Sequence, residues 1–157
     1  MDTADVRVVE MGDQPDDSVL DMLADLVDAE QDHYDHPRET RDAIRGRLNP
    51  APRFTGENHL LLARDGDGAA VGVCWVVLFD PGTGLEGEVA ELYVRPDARG
   101  DGIARRLVVD AVELFRRRGV TFASVWTRGD NAAALAAYGA AGFAPTDQKV
   151  LTWLPLQ

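Results

Sequence analysis

The chain has 157 residues, which is the size of one compact domain. Its hydrophobic content of 45% and charged content of 27% are ordinary for a globular protein, and no apolar run approaches the roughly 20 residues that a membrane span requires. A formal net charge of −11 would repel the phosphate backbone of a nucleic acid. Composition therefore predicts a single domain over residues 1–157 and argues against a nucleic-acid or membrane partner.

The N-terminal segment and the cysteine content indicate where the protein works. The first five residues include neither a basic segment nor an apolar one, so no secretory signal is predicted and we expect a cytoplasmic location. The single cysteine, Cys74, lies inside an apolar run, which excludes an internal disulfide and disfavours a zinc site. We therefore expect Cys74 to be a core residue and expect no bound metal.

The N-terminal third is predicted to be mainly helical. A short strand is expected near residues 6–8, followed by a helix that is capped at Asp17 or Ser18 and runs to about Gln31. A second and weaker helical pattern covers residues 38–48 and ends at a proline-rich segment. Two early helices therefore precede the main sheet.

The first of these helices has an acidic face. Asp21, Asp25 and Asp28 fall opposite its apolar residues. Such a face either attracts a cationic acceptor or is simply solvated. The sequence leaves both interpretations open.

A run of β-strands follows. Residues 59–64 and 70–79 are rich in β-forming residues, and the intervening Asp-Gly-Asp-Gly at 65–68 is typical of a hairpin turn. A third strand is predicted over 88–94, with alternate residues on opposite faces. These strands predict an antiparallel meander.

The C-terminal part alternates between helix and strand. An amphipathic helix is predicted over 102–118, a strand over 122–127, an alanine-rich helix over 131–141 and a last strand over 150–154. Antiparallel strands with inserted helices indicate a mixed α/β domain.

The segment between the third strand and the amphipathic helix has the properties of an anion-binding loop. Gly100 and Gly102 have no side chain, so their N–H groups can approach a ligand closely, and the start of the helix adds unpaired donors. A pyrophosphate suits such a loop, although two glycines could also serve only as a turn. Neither a Walker lysine nor a complete dinucleotide fingerprint is present.

Two motifs in order resemble those of the GCN5-related N-acetyltransferases (GNAT). The first, Arg99-x-x-Gly102-x-Ala104, is similar to the coenzyme A loop of that family. The second is similar to the family's Asn-x-x-Ala-x-x-x-Tyr-x-x-x-Gly-Phe segment and consists of Asn131, Ala134, Tyr138, Gly142 and Phe143. The resemblance covers most of residues 88–143.

The resemblance implies both a fold and a co-substrate. The fold is of the α/β (α+β) class, with a mixed, mostly antiparallel sheet of about six or seven strands that is splayed in the middle and flanked by about four helices. The co-substrate is acetyl-coenzyme A (acetyl-CoA), whose pantetheine arm would pair with the third strand. The implied binding residues are Leu92, Tyr93, Val94, Arg99, Gly100, Asp101, Gly102, Ile103, Ala104 and Asn131. Asn131 could bond the pantetheine arm, cap its helix, or do both.

The resemblance also implies a direct attack of an amine on the thioester, with no enzyme nucleophile. Tyr138 would be the general acid that protonates the departing thiolate, and its alternative role is that of a core aromatic. Glu88 and Glu91 are candidates for the base, and either could instead be a solvated carboxylate. Because their positions differ by three, strand alternation predicts opposite faces, so at most one is expected in the cleft.

The predicted function is acetyl transfer from acetyl-CoA to a primary amine of a small molecule or peptide that the sequence does not identify. A second possibility is a non-catalytic acetyl-CoA-binding sensor or regulatory domain, and a third is a nucleotide-binding regulatory domain. The family frequently forms homodimers, which this sequence neither requires nor excludes.

Overall fold

The structure, a computed structural model, describes residues 16–33, 37–50 and 54–151. Single turns of 3₁₀ helix follow the first helix and the third strand, at Gln31–His33 and Pro96–Ala98. The helices and strands, numbered in chain order, are α1 (Asp17–Glu30), α2 (Arg41–Arg47), β1 (Gly56–Arg64), β2 (Ala70–Phe79), β3 (Glu86–Val94), α3 (Ile103–Arg118), β4 (Phe122–Val125) and α4 (Ala132–Ala140).

The strands form one mixed sheet in the order β1-β2-β3-β4. The first three are antiparallel, and β4 is parallel to β3. The mixed α/β fold with four α-helices is thus confirmed, but the prediction of six or seven strands is wrong for the described residues, which form four. The predicted strand near residues 6–8 lies outside them. Val150 and Leu151, from the predicted last strand, are exposed and pair with no strand.

The β1–β2 connection is the predicted hairpin. The carboxylate of Asp65 accepts hydrogen bonds from the backbone N–H groups of Asp67 and Ala69. Gly68 has a φ of 83°, a left-handed conformation that glycine adopts without the Cβ clash of other residues. The turn residues therefore set the register of the first two strands.

A bulge at Ala90 divides β3 into two halves. Glu91 lies opposite Trp75 of β2. The next pair is Val89 with Val76, which leaves Ala90 without a partner. An unpaired residue of this kind bends its strand and reverses the alternation of side chains beyond it.

Strands β3 and β4 separate just before this bulge. Their parallel pairing runs from Glu86 with Phe122 to Val89 with Val125, where β4 ends. Strand β3 continues to Val94. Its second half therefore pairs only with β2, and no described strand lies along its other edge.

The main core lies between the sheet and α3. Val76 of β2 and Val108 and Ala111 of α3 are completely buried in it. At Gly87 the ring of Phe115 comes so close that a Cβ atom would lie 2.5 Å from it. Only glycine allows this approach, so the position fixes how closely α3 packs on the sheet.

Helices α1 and α2 form a hairpin with a separate apolar cluster around Ala24, Ile44 and Leu48. The side chain of Asp16 accepts the backbone N–H of Val19 and so caps α1. The cap predicted at Asp17 or Ser18 is therefore wrong by one or two positions. The hydroxyl of Ser18 instead donates to the Asp16 carboxylate, which completes the capping arrangement.

The acidic face of α1 is paired with arginines. Arg41 of α2 donates to Asp25, and the Arg45 guanidinium donates to Asp21 at 2.7 Å. That hydrogen bond is the main reason that the pKa of Asp21 is lowered. The face thus neither stands free in solvent nor offers its full charge to a ligand, because α2 supplies the cations.

The helical hairpin is attached to the loop between β2 and β3. The backbone N–H of Asn49 donates to the carbonyl of Gly82 at 3.0 Å, and Arg47 donates to the carbonyl of Thr83.

Within residues 16–33, 37–50 and 54–151, no helix has the length and apolarity needed to cross a membrane.

Candidate functional site

A cavity of about 640 Å³ lies where β3 and β4 separate, between the second half of β3 and helices α3 and α4. That volume is in the range of small-molecule and cofactor sites. Its lining combines predicted cofactor-binding residues with a series of alanines. The lining residues are Leu92, Tyr93, Val94, Ala98, Arg99, Gly100, Gly102, Ile103, Ala104, Arg105, Asn131, Ala133, Ala134, Ala136, Ala137 and Ala140.

The N-terminus of α3 provides unpaired hydrogen-bond donors to this cavity. In the described structure α1, α2 and α4 each begin with a side-chain cap, whereas α3 begins at Gly102 with none. No described residue accepts the N–H groups from Gly100 to Arg105. Gly100 and Gly102 have φ values of 101° and 76°, and a Cβ at either would meet no protein atom within 4 Å. These donors and the partial positive charge of the helix start make an anion site.

Arg99 is held in place beside the loop. Its Nε donates to the carbonyl of Val94 at 2.9 Å, and its guanidinium carbon lies 5.8 Å from the centre of the Tyr93 ring. The Nη groups form no hydrogen bond to a described residue. Arg99 thus presents a cation at the cavity with four N–H donors still available.

Asn131 occupies the opposite wall. Its side-chain oxygen accepts the N–H of Ala134 at 3.2 Å and so caps α4. The capping role is therefore observed, and the amide NH₂ of the same side chain remains available to a ligand. The structure accommodates both roles that the sequence left open.

The structure brings together nine of the ten predicted cofactor-binding residues; the exception is Asp101, which does not line the cavity. Asp101 lies in the loop between the two glycines. The lining residues that were not predicted to bind the cofactor are Ala98, Arg105 and the alanines of α4. Ala133, Ala136 and Ala140 recur at helical spacing, and this stripe of small residues was the available signal.

Tyr138 lies behind the cavity lining and is only 7% exposed. Its ring packs edge-on against Phe143, with ring centres 5.8 Å apart. Burial raises the pKa of the phenol, and Cys74 and the Glu91 carboxylate raise it further. The phenol is therefore held in its protonated form, which is able to donate a hydrogen bond to a ligand.

Glu88 and Glu91 lie on the same face of the sheet, not on opposite faces as alternation predicted. Glu88 pairs with Val77 and Glu91 with Trp75, and these two β2 residues are two positions apart. The cause is the unpaired residue at the bulge, which restores the same orientation after three positions. Neither glutamate lines the cavity beside α3.

Cys74 lies on β2 with its side chain fully buried in the core beside α3, and burial raises its pKa from 9.0 to about 11. A thiol with this pKa has about 100-fold less thiolate at pH 8 than one with a pKa of 9.0, since each unit is tenfold. Cys74 is thus the core residue that the sequence predicted.

Among the described residues, no group of three potential metal ligands comes together.

We expect Cys74 to react with an aromatic disulfide reagent at pH 8 at least 100-fold more slowly in the native protein than in denaturant. The raised pKa also means that its contribution to stability is complete below pH 9 and is lost as the pH rises towards about 11. Absorbance of the released thiol measures the rate, with the protein in guanidinium as the control. Fast labelling of the native protein would show that Cys74 is accessible.

The sequence model described as the acetyltransferase (GNAT) family matches residues 20–143, which is more than half of the chain. The chain belongs to the GNAT acetyltransferase family. This confirms the family predicted from the Arg99 loop and the Tyr138 segment. Family membership also supports the prediction of an acyltransferase that uses acetyl-CoA.

Curated relatives and a solved structure agree with this assignment. The chain is 39% identical to a mycothiol acetyltransferase of Beutenbergia cavernae over 54% of its length and 28% of the relative's. It is 32% identical to a mycothiol acetyltransferase of Clavibacter michiganensis over 81% of its length and 40% of the relative's. The chain thus spans less than half of these relatives. A putative acetyl transferase from Pyrococcus furiosus shares the fold, with a TM-score of 0.55 and 16% identity over 89% of this chain and 95% of that one.

Proposed function

We propose that this GNAT domain binds acetyl-CoA in the cavity beside α3 and transfers its acetyl group to a primary amine. The observation that carries the proposal is the run of unpaired N–H groups from Gly100 to Arg105 at the uncapped start of α3. A diphosphate offers the acceptors that these donors lack, and Arg99 and Arg105 add positive charge at the same wall. Such charge is notable in a chain with a net charge of −11.

The free edge of β3 supports the placement of the rest of the co-substrate. Beyond Val89 no described strand pairs with that edge, so the outward main-chain groups near Leu92 are available to an extended ligand, whereas the Val94 carbonyl already accepts from Arg99. An amide-bearing chain can add there as a strand does, with main-chain hydrogen bonds. The alanines of α4 line the same cavity, and their short side chains take up little of its space.

Acetyl-CoA supplies a thioester: the amine nitrogen bonds to its carbonyl carbon, the carbon–sulfur bond breaks, the amine loses a proton and the thiolate gains one. An alkylamine has a pKa near 10.4, so deprotonation at pH 7 costs roughly 4–5 kcal/mol. Glu88, Glu91 or water bonded to them would take this proton. We propose that the Tyr138 hydroxyl donates the proton that the sulfur gains. Its raised pKa keeps this hydroxyl protonated throughout the neutral range.

A sensor that binds acetyl-CoA without turnover is the alternative. The observation in its favour is that Tyr138 lies behind the lining and not at the cavity surface. The relatives that the chain matches over less than half of their length are named mycothiol acetyltransferases. A small-molecule acceptor fits the relatives better than a peptide, and cytoplasmic location and the absence of nucleic-acid and membrane partners stay predictions.

The proposal is tested by calorimetric titration of the purified protein with acetyl-CoA, followed by a thiol-release assay with a panel of primary amines. We expect a single site with a micromolar dissociation constant and amine-dependent release of coenzyme A. ATP and NAD serve as competitors, because a nucleotide-binding domain would prefer them. If acetyl-CoA does not bind, both the enzyme and the sensor are ruled out; if it binds without turnover for any amine, the sensor is favoured.

A further inference from the structure

The face of the sheet opposite α3 carries an apolar surface with two carboxylates, which we call the open face. The registers of the sheet place its central residues in two rows across β1, β2 and β3. These rows are Leu60, Trp75 and Glu91, and Asn58, Val77 and Glu88. Residues directly opposite in such rows have Cβ atoms about 5 Å apart, so each row is a contiguous surface.

The apolar part of the open face is unusually exposed for a sheet. Leu60 is 62% exposed and Trp75 is 40% exposed, whereas Val76, on the other face of β2, is fully buried beneath α3. The Trp75 ring is also fixed, since its Nε1 donates to the Asn58 side chain at 2.7 Å. An exposed indole held in one orientation is a preformed platform for another ring or for a cation.

The carboxylates on the open face are not paired with a cation of any described residue. Elsewhere in the described structure carboxylates on α1 and β1 pair with arginines, as Asp21 does with Arg45 and Glu57 with Arg118. Glu88 and Glu91 form no ion pair with a described residue. Because the bulge at Ala90 turns both to one face, their negative potentials add at the site of Trp75.

The open face is continuous with the proposed acetyl-CoA cavity through β3. Glu91 is followed at once by Leu92, which lines the cavity. Tyr93, which faces the same side of the sheet as Glu91 because it pairs with Val73, also lines the cavity, so the cavity reaches the open face around the free edge of β3. An occupant of the open face can thus present an amine to that edge.

We propose that the acceptor is a primary amine on an apolar, ring-bearing body, bound on the open face with its ammonium at Glu88 and Glu91 and its ring on Trp75. This inference rests on the proposed acetyl transfer. Charge complementarity selects the cation, and the exposed indole and Leu60 select the apolar body. A polyamine or an aminosugar would satisfy the carboxylates but would leave the apolar surface in water.

The test is calorimetric titration of 2-phenylethylamine into the protein saturated with coenzyme A, so that binding is measured without turnover. Parent protein, Trp75→Ala, Glu91→Gln and Phe122→Ala are compared. Phe122 is the matched control, because it is 44% exposed at the far end of the sheet. We expect the dissociation constant to rise at least tenfold in Trp75→Ala and in Glu91→Gln and to stay unchanged in Phe122→Ala. Spermidine, which has no ring, should bind equally to the parent and Trp75→Ala.

Each other outcome overturns the inference. Absence of 2-phenylethylamine binding, or equal binding by all four proteins, rejects the open face as its site. Preferred binding and acetylation of spermidine or an aminoglycoside by the parent rejects the ring-bearing acceptor but leaves acetyl transfer intact. A dimer in gel filtration that Trp75→Ala dissociates and Phe122→Ala does not would show that a second copy occupies the face. If the parent protein does not bind acetyl-CoA in the titration that tests the proposed function, that function itself is rejected.

Discussion

Replacement of Gly102 by leucine is expected to weaken acetyl-CoA binding more than 100-fold. Gly102 has a φ of 76°, and the space that a Cβ atom would enter there is empty, as expected of a position kept open for a ligand. A leucine would fill the approach to the N–H groups of α3. Each hydrogen bond to a charged group contributes about 1.5–3 kcal/mol, and about 1.4 kcal/mol is tenfold, so the loss of two donors gives this effect. Calorimetric titration measures it directly.

Gly119→Leu is the matched control for Gly102→Leu. Gly119 ends the same helix, has a φ of 70° and is equally open. Both leucines are forced into the left-handed conformation, which costs roughly 1–2 kcal/mol, so both variants should lose a few degrees in Tm. Only Gly102→Leu should lose acetyl-CoA. Equal affinities in the two variants would mean that the start of α3 does not hold the co-substrate.

Tyr138→Phe is expected to lower kcat by about 10²- to 10⁴-fold, the usual contribution of a general acid. Affinity for acetyl-CoA should change little, because Tyr138 does not line the cavity. In the parent protein, the loss of activity that ionisation of this acid causes should occur at a higher pH than for an ordinary tyrosine, because burial raises the pKa of the phenol. Steady-state kinetics with an accepted amine provide both readouts.

The variant Phe143→Leu distinguishes the catalytic role of the Tyr138 hydroxyl proton from the packing role of the Tyr138 ring. Tyr138 and Phe143 share an edge-to-face contact, which Tyr138→Phe preserves and Phe143→Leu removes. We expect Phe143→Leu to lower Tm with a much smaller loss of kcat than Tyr138→Phe. If the two variants lose similar activity in proportion to their loss of Tm, Tyr138 is a core aromatic and not the acid. If the parent has no activity to lose, the sensor is the better description.

The elements that local chemistry determines were predictable from sequence. Strand β2, its Asp65 turn and helix α3 follow from apolar periodicity and from residues that favour one backbone conformation. The loop from Arg99 to Ala104 was also predictable, since glycines before a helix have a direct physical meaning. The local sequence of these segments determines their conformation, so they can be predicted without knowledge of their tertiary contacts.

The orientation of Glu88 and Glu91 was not predictable, because it depends on how β3 pairs with β2. Alternation counts residues along one strand, but the bulge at Ala90 is a property of two strands. The same limit applies to the acidic face of α1. Nothing in its own sequence shows that Arg45 of another helix lies against Asp21. Partners distant in the chain decide these features.

The two apolar clusters of the described residues keep the effects of substitutions on stability separate. The cluster around Ile44 in the helical hairpin is separate from the cluster around Val76 that supports the sheet and α3. Changes at distant sites that share no contacts add independently, so repacking the hairpin does not disturb the start of α3. Selection can therefore remodel α1 and α2 at constant affinity for the co-substrate, which makes the domain readily evolvable.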